Sequence, residues 1–259
     1  MTQHGFFYDQ SRCIGCKTCS IACKTWNGIP PGPIKYMRVF EWEEGVWPQV
    51  RLNFLAIPCY HCEKPVCAEA CPARAIIKEE KYGAVLIDDE FCNPAVVNCN
   101  RACWEACPYG SIVFASDSPD EKAQKCTMCI ERLEEGLLPI CVASCPMRAL
   151  DFGPMDKLIE KYSKKFKVTQ QLKGMPEPDM VKPAVIIKER DPHREIVPYP
   201  VKKVYELWRQ RGPYAAPDLP PVFNSELDLK PEGVKVGRDR LVLKPRSVEE
   251  LMYYTMNDE

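Results

Sequence analysis

Hydrophobic and polar residues alternate along two stretches of the chain, a pattern typical of β-strands. Residues 36–42 and 46–54 alternate on either side of Glu43-Glu44-Gly45, and together they predict a β-hairpin. Residues 84–88 predict another strand. The apolar positions of residues 154–165 recur instead with a helical period behind a leading proline, which predicts an amphipathic helix.

The end of the chain is rich in proline, because 13 of the 25 prolines follow residue 150. Segments such as 214–223 cannot form long helices or central strands, since proline has no backbone N–H to donate. Residues 248–256 predict one last short helix. We therefore expect a domain over 1–153, with an insertion at 24–58, and a C-terminal helix and extended docking tail over 154–259.

Nothing in the apolar pattern predicts a membrane span. The longest apolar runs, such as residues 184–188, are strand-sized, whereas a spanning helix needs about 18 residues. The first residues lack both a basic region followed by an apolar stretch and a twin arginine, so we expect no export signal here. A formal net charge of −1 argues against a nucleic-acid-binding protein.

Sixteen cysteines, all before residue 146, carry the candidate chemistry. They fall into four runs, at residues 13–23, 59–72, 92–108 and 126–146. The first run is a complete C-x2-C-x2-C-x3-C, and the other three end in C-x3-C-P, as in bacterial ferredoxins. Disulfide-dense folds are usually smaller and secreted, and zinc knuckles do not explain the C-x3-C-P endings. The spacing therefore predicts iron–sulfur clusters rather than zinc.

The third run is irregular, with six residues between Cys92 and Cys99 and three between Cys99 and Cys103. Residues 93–98 read as an inserted loop, and extra loop length costs little entropy. We therefore expect Cys92 to reach the same [4Fe–4S] cluster. In the alternative, Cys92 is not a ligand and three cysteines hold a [3Fe–4S] cluster.

An internal repeat follows three of the runs. Residues 71–76, 107–112 and 145–150 all read Cys-Pro-x-x-small-aliphatic, where proline ends one helix and the aliphatic residue begins the next strand. The repeat predicts an α+β fold of two bacterial-ferredoxin-like modules, with the inserted hairpin between runs and the proline-rich extension behind them.

The motifs resemble a known family. The four runs, the Cys107-Pro-Tyr-Gly step and Gln124-Lys-Cys126-Thr-Met-Cys129 are similar to those of the four-cluster electron-transfer (beta) subunits of the dimethyl-sulfoxide-reductase family of molybdenum or tungsten oxidoreductases. That family includes DMSO, nitrate and polysulfide reductases and formate dehydrogenase. The resemblance covers roughly residues 5–155, and the third run departs from it in spacing.

In that family the first run pairs with the fourth and the second with the third, and the resemblance implies four ligand sets here. Cluster 1 takes Cys13, Cys16, Cys19 and Cys145; cluster 2 takes Cys126, Cys129, Cys141 and Cys23; cluster 3 takes Cys59, Cys62, Cys67 and Cys107; cluster 4 takes Cys92, Cys99, Cys103 and Cys71.

The resemblance also implies a function. Single electrons would pass through four clusters between a large molybdopterin (Mo or W) catalytic subunit and a membrane quinone-linked subunit or another carrier. We expect no catalytic residues, because His4, His61 and His193 form no nucleophile–base constellation, and His61 is expected to be a hydrogen-bonding neighbour of a cluster. Alternatives are a subunit of a hydrogenase-type complex without a molybdopterin partner, a soluble polyferredoxin, and a zinc scaffold.

Two further expectations concern the charges near the clusters and the location of the protein. Basic residues stand close to the cysteines, Lys125 among them; most suit solvated surface, and a few are expected to neutralise cluster charge. The resemblance places the protein in a membrane-associated complex on the periplasmic side, exported together with its partner, and a cytoplasmic location is the alternative.

Overall fold

A computed structural model describes residues 2–32, 34–45, 50–191 and 241–244. Its strands are β1 (His4–Asp9), β2 (Arg38–Glu44), β3 (Arg51–Ile57), β4 (Ile76–Lys78), β5 (Val85–Ile87), β6 (Leu150–Pro154) and β7 (Val185–Lys188). Its α-helices are α1 (Thr18–Trp26), α2 (Val66–Glu69), α3 (Pro94–Val97), α4 (Ala102–Ala106), α5 (Ile130–Glu134), α6 (Ile140–Ala143) and α7 (Met155–Ser163). A 3-10 helix spans Pro178–Met180.

The central sheet joins the two ends of the cysteine-rich region. Strand β1 pairs antiparallel with β6 and parallel with β7, so Phe6 lies opposite both Phe152 and Val185. Since side chains alternate along a strand, Phe6 and the residue two positions on point into the main core, while Phe7 points to the other face. There the ring of Phe7 stacks on Tyr162 of α7, with ring centroids 3.5 Å apart.

The amphipathic helix predicted over 154–165 is found as α7, and its apolar stripe packs on the central sheet through Leu158. The described residues that follow it also return to this sheet, as β7. The segments 214–223 and 248–256, residues 46–49 of the predicted hairpin and His193 lie outside the described residues.

Strands β2 and β3 pair antiparallel, with Arg38 opposite Ile57. In β2 the residues from Arg38 to Trp42 are all buried, polar residues included. The strand is therefore covered on both faces, and even Glu41 is only 5% exposed. Helix α1 extends to Trp26, so the expected insertion starts within a helix rather than after one.

The remaining elements are short and sit beside the cysteine runs. Strands β4 and β5 form a two-stranded sheet, with Ile76 opposite Ile87. Helix α1 packs against α6, and α2 packs against α4. These contacts bring the first cysteine run to the fourth and the second run to the third. The stretch 93–98, expected as a plain loop, contains the one-turn helix α3, which begins at Pro94 because proline suits the first helical position.

Candidate iron–sulfur site

Three of the cysteine runs open with the same backbone turn. The second residue between the first two cysteines is left-handed in each case, with φ of 69° at Gly15, 43° at His61 and 62° at Met128. The turn points an amide at the preceding sulfur: the N–H of His61 donates to Cys59 Sγ at 3.4 Å, and that of Met128 to Cys126 Sγ at 3.3 Å. Amide N–H groups aimed at sulfur stabilise a thiolate and favour its use as a metal ligand.

A second turn repeats at each Cys-Pro step. The residue three positions after the cysteine is left-handed, with φ of 52°, 56° and 50° at Arg74, Gly110 and Arg148. In two of the steps the next amide bonds back to the cysteine: Ser111 N–H donates to Cys107 Sγ at 3.4 Å, and Ala149 N–H to Cys145 Sγ at 3.3 Å. The three Cys-Pro steps therefore share a left-handed residue, and two of them share the N–H···S bond.

The helix pairs collect the cysteines into four groups, which we call quartets 1 to 4. Quartet 1 is Cys13, Cys16, Cys19 and Cys145; quartet 2 is Cys23, Cys126, Cys129 and Cys141; quartet 3 is Cys59, Cys62, Cys67 and Cys107; quartet 4 is Cys71, Cys92, Cys99 and Cys103.

Quartets 1 and 4 each surround a small apolar cavity. All four cysteines of quartet 1 line one cavity, together with apolar residues such as Val39 and Leu150. The four cysteines of quartet 4 line another, beside Val97 and Phe114. Cys92 is among them, so the longer spacing of the third run does not carry it away from its neighbours.

Quartets 2 and 3 are recognised by the electrostatic interactions among their thiols. Cys141 interacts with the other three members of quartet 2, and Cys62 with the other three members of quartet 3. Cysteines of neighbouring quartets also interact with one another. Such pairs are Cys19 with Cys141 for quartets 1 and 2, Cys59 with Cys126 for quartets 2 and 3, and Cys67 with Cys103 for quartets 3 and 4.

Burial makes these thiols hard to ionise by themselves. Burial first, and then the neighbouring cysteines, raise the pKa of Cys19, Cys67 and Cys103 to about 12, and burial with the nearby Cys129 raises that of Cys23 to about 12. Four such thiols ionise together only when a positive group compensates them. The donor set, the apolar lining and the N–H···S bonds therefore fit iron–sulfur clusters, for which thiolates are the usual ligands.

His61 lies in the loop between Cys59 and Cys62 of quartet 3 and is fully buried. Its Nδ1 accepts a hydrogen bond from the N–H of Val85 at 2.9 Å, so the ring proton of the neutral imidazole lies on Nε2. Burial, with Lys125 and Lys78 nearby, holds the pKa of His61 well below its usual value. Among the described residues Nε2 has no hydrogen-bond partner, which leaves a buried donor available to a group held by the quartet.

Basic side chains also enter the site. Lys125, named from the sequence, is buried, whereas Arg38 and Lys78 were missed. Arg38 stands in the hairpin and Lys78 ends β4, so neither is close to a cysteine in the sequence. The one signal in the sequence that could have found Arg38 is its place between the apolar residues Met37 and Val39.

All sixteen cysteines are free of disulfide bonds. Within the described ranges, no three His, Cys, Asp or Glu side chains converge closely enough to hold one metal ion. In the same part of the chain, no helix combines the length and apolar character needed to cross a membrane.

Comparison with known proteins agrees with this geometry. Residues 50–155 match the 4Fe-4S dicluster domain family, so this is an iron–sulfur protein with an α+β fold of short helices and strands. A chain of the anaerobic dimethyl sulfoxide reductase of Escherichia coli (strain K12) is 42% identical over 195 residues, which cover 72% of this protein and 89% of the relative. The protein belongs to the iron–sulfur electron-transfer subunits of the dimethyl-sulfoxide-reductase family, and the prediction from the motifs is confirmed.

More distant relatives are similar in kind. A protein of Halobacterium salinarum, named as an iron-sulfur subunit of a dimethyl sulfoxide reductase, is 32% identical over 203 residues, covering 66% of this protein and 75% of the relative. A selenate reductase subunit of Mesobacillus selenatarsenatis is 34% identical over 176 residues, covering 56% of this protein and 58% of the relative.

Proposed function

We propose that each quartet holds one [4Fe–4S] cluster, with the ligand sets given above. The thiols of quartets 1 and 4 surround cavities instead of meeting at a point, and backbone amides face sulfurs of quartets 2 and 3. When bound, such clusters supply one-electron chemistry. The position of Cys92 on the wall of the quartet 4 cavity supports four-cysteine ligation there and argues against a [3Fe–4S] cluster.

The observation that carries the function is the order of the quartets. The three neighbouring pairs, Cys19 with Cys141, Cys59 with Cys126 and Cys67 with Cys103, join the quartets in the sequence 1, 2, 3, 4. The protein thus offers a continuous row of thiol-lined sites with two ends. We infer that this row carries single electrons between a molybdopterin (Mo or W) catalytic subunit at one end and a membrane quinone-linked subunit, or another carrier, at the other.

The organisation of the chain follows from the same parts. The packing of α1 on α6 and of α2 on α4 supports two ferredoxin-like modules, one built from the first and fourth runs and one from the second and third. In this proposal the β2–β3 hairpin is the insertion, and residues 154–259 are a docking extension whose first part, α7 and β7, lies on the domain's own sheet. Substrate chemistry takes place in the partner.

We also propose a location for the complex in the cell. The relatives include chains of anaerobic dimethyl sulfoxide reductases, which supports a respiratory complex associated with a membrane. The periplasmic side, reached by export with the partner, is our choice over the cytoplasmic side. The reductase names of the relatives favour this function over a hydrogenase-type subunit, a polyferredoxin or a zinc scaffold.

The test is to purify the complex gently from its source and to identify the co-purifying chains. Iron, molybdenum, tungsten and zinc are measured in the same sample. We expect a large partner with molybdenum or tungsten, and about sixteen irons from this subunit. Iron together with a nickel-containing partner and no molybdenum or tungsten would move the protein to a hydrogenase-type complex. Zinc in place of iron in fresh material would disprove electron transfer.

A further inference from the structure

Three basic side chains lie inside the protein around quartet 3. Arg38 and Lys125 are 7% and 4% exposed, and Lys78 is half-buried. Burying a cation costs free energy unless acceptors or negative groups compensate it. Three such groups at one quartet favour a negatively charged group held by its cysteines.

Both lysines are held by the backbone of the cysteine loops. Lys78 Nζ donates to the carbonyl oxygen of Cys62 and to Gln3 Oε1, each at 2.7 Å. Lys125 Nζ donates to the carbonyl oxygen of Cys126 at 2.9 Å and to a second carbonyl on β5. These bonds fix each ammonium group beside a cysteine without neutralising its charge.

Arg38 is held in the same manner, by the turn that follows Cys107 of quartet 3. Its guanidinium donates to the carbonyl oxygens of Tyr109 at 2.8 Å and Gly110 at 2.6 Å, in the turn that follows Cys107. It also lies 3.3 Å from Ser111 Oγ, and the Ser111 N–H donates to Cys107 Sγ. The guanidinium is thus tied to the turn whose amide faces the sulfur.

The three cations interact with the cysteines of different quartets. Lys78 and Arg38 interact with cysteines of quartet 3. Lys125 interacts with Cys67 of quartet 3 and with Cys126 of quartet 2, so it lies between the two inner quartets. A positive charge at such a place stabilises an added electron, because the interaction is screened weakly inside the protein.

We propose that Lys78, Lys125 and Arg38 are positioning residues that raise the reduction potential of the group held by quartet 3, and that Lys125 raises that of quartet 2 as well. The proposal rests on the proposed function, that is, on a cluster in each quartet. Each site takes up one electron and no bond forms or breaks. The two inner sites of the row are thereby coupled through one shared charge.

The test uses the native complex from strains that carry K78Q, K125Q or the control K122Q. Lys122 lies three residues before Lys125 and donates instead to a backbone carbonyl at an exposed position. Each preparation is titrated with dithionite and ferricyanide, and the one-electron steps are followed by EPR. We expect K78Q to lower the reduction potential of one step and K125Q to lower that of two steps. Each shift should be about 59 mV, which is about a tenfold change in the equilibrium constant of a one-electron step. K122Q should move none.

The outcomes separate this inference from the proposed function. Four one-electron steps and about sixteen irons in the unaltered subunit support the clusters themselves, and their absence removes both proposals. Four steps that stay unmoved in K78Q and K125Q overturn the inference alone. If K125Q loses iron, the test rests on K78Q and on the charge-preserving variant K125R. A lowered reduction potential in K78Q, together with unchanged potentials in K125R, supports the inference. An unchanged potential in K78Q overturns it.

Discussion

Cys19 and Cys23 lie one turn apart on the same face of helix α1, yet their thiols belong to different quartets. Cys19 interacts with Cys13 and Cys145 of quartet 1, whereas Cys23 interacts with Cys129 of quartet 2. Four residues of helix span about 6 Å. A single rigid element therefore sets the separation of two neighbouring sites, which a flexible loop would not fix.

Replacing these two cysteines by serine should affect different centres. We expect Cys19→Ser to alter the centre of quartet 1 and Cys23→Ser that of quartet 2, because each removes one thiolate from one set. Redox titration followed by EPR should then show a different step missing or displaced in each variant. The same step lost in both variants would show that the two thiols share one cluster and that the assignment is wrong.

Cys92→Ser tests whether the irregular third run supplies four ligands. Because Cys92 lines the quartet 4 cavity, we expect its loss to convert that centre to a three-iron form, with about one iron fewer per subunit. Iron analysis and EPR of the oxidised complex measure this directly. The matched variant Cys99→Ser should perturb the same centre. An iron content and EPR spectrum unchanged in Cys92→Ser would establish that Cys92 is not a ligand.

Gly15→Ala should destabilise the first cysteine loop. Gly15 has φ of 69°, and an added Cβ would overlap the ring of Phe54. We expect a loss of about 2 kcal/mol from backbone strain and overpacking together. Gly28 has a similar φ of 63° with nothing within 4 Å of an added Cβ, so Gly28→Ala serves as the control at about 1 kcal/mol. Melting temperatures of the complex should rank the two variants; equal values would contradict a steric role for Phe54.

The contact of α7 with the central sheet gives a prediction about pH. Burial acts to raise the pKa of Asp151, but hydrogen bonds from Lys161 and Tyr162 outweigh it, so the pKa lies below its ordinary 3.8. A lowered carboxyl pKa stabilises the fold fully above the unfolded value, and the gain is lost as pH falls through the folded value. Asp151→Asn should therefore cost a constant amount between about pH 5 and 8, below about 1 kcal/mol because Lys161 is half exposed.

Melting temperatures of both proteins across that pH range provide the measurement. Tyr162→Phe is the companion variant, since it removes the 2.6 Å hydrogen bond to Asp151 Oδ2 but retains the ring that stacks on Phe7. A difference between Asp151→Asn and the unaltered protein that changes steadily from pH 5 to 8 would rule out the lowered pKa.

The local elements could be read from the sequence where one short-range rule decides them. Proline set the start of α7, and the Cys-Pro repeat read from the sequence marks three places where the backbone has a left-handed residue. The burial of Arg38 and Glu41 could not be read in this way, because a strand covered on both faces buries its polar residues too. The segments that cover a strand are distant from it in the sequence, so the hydrophobic periodicity of the strand itself does not reveal them.

Cysteine spacing and the Cys-Pro steps by themselves determined the class of protein, since thiolate ligands must stand at fixed separations along a loop to face one cluster. Only the tertiary structure decided which thiols meet, because α1 packs on α6 and α2 on α4 across long stretches of sequence. It also decided the charge around quartet 3. Arg38 and Lys78 reach that quartet through folding alone, and the potential at a buried site depends on distance in space rather than along the sequence.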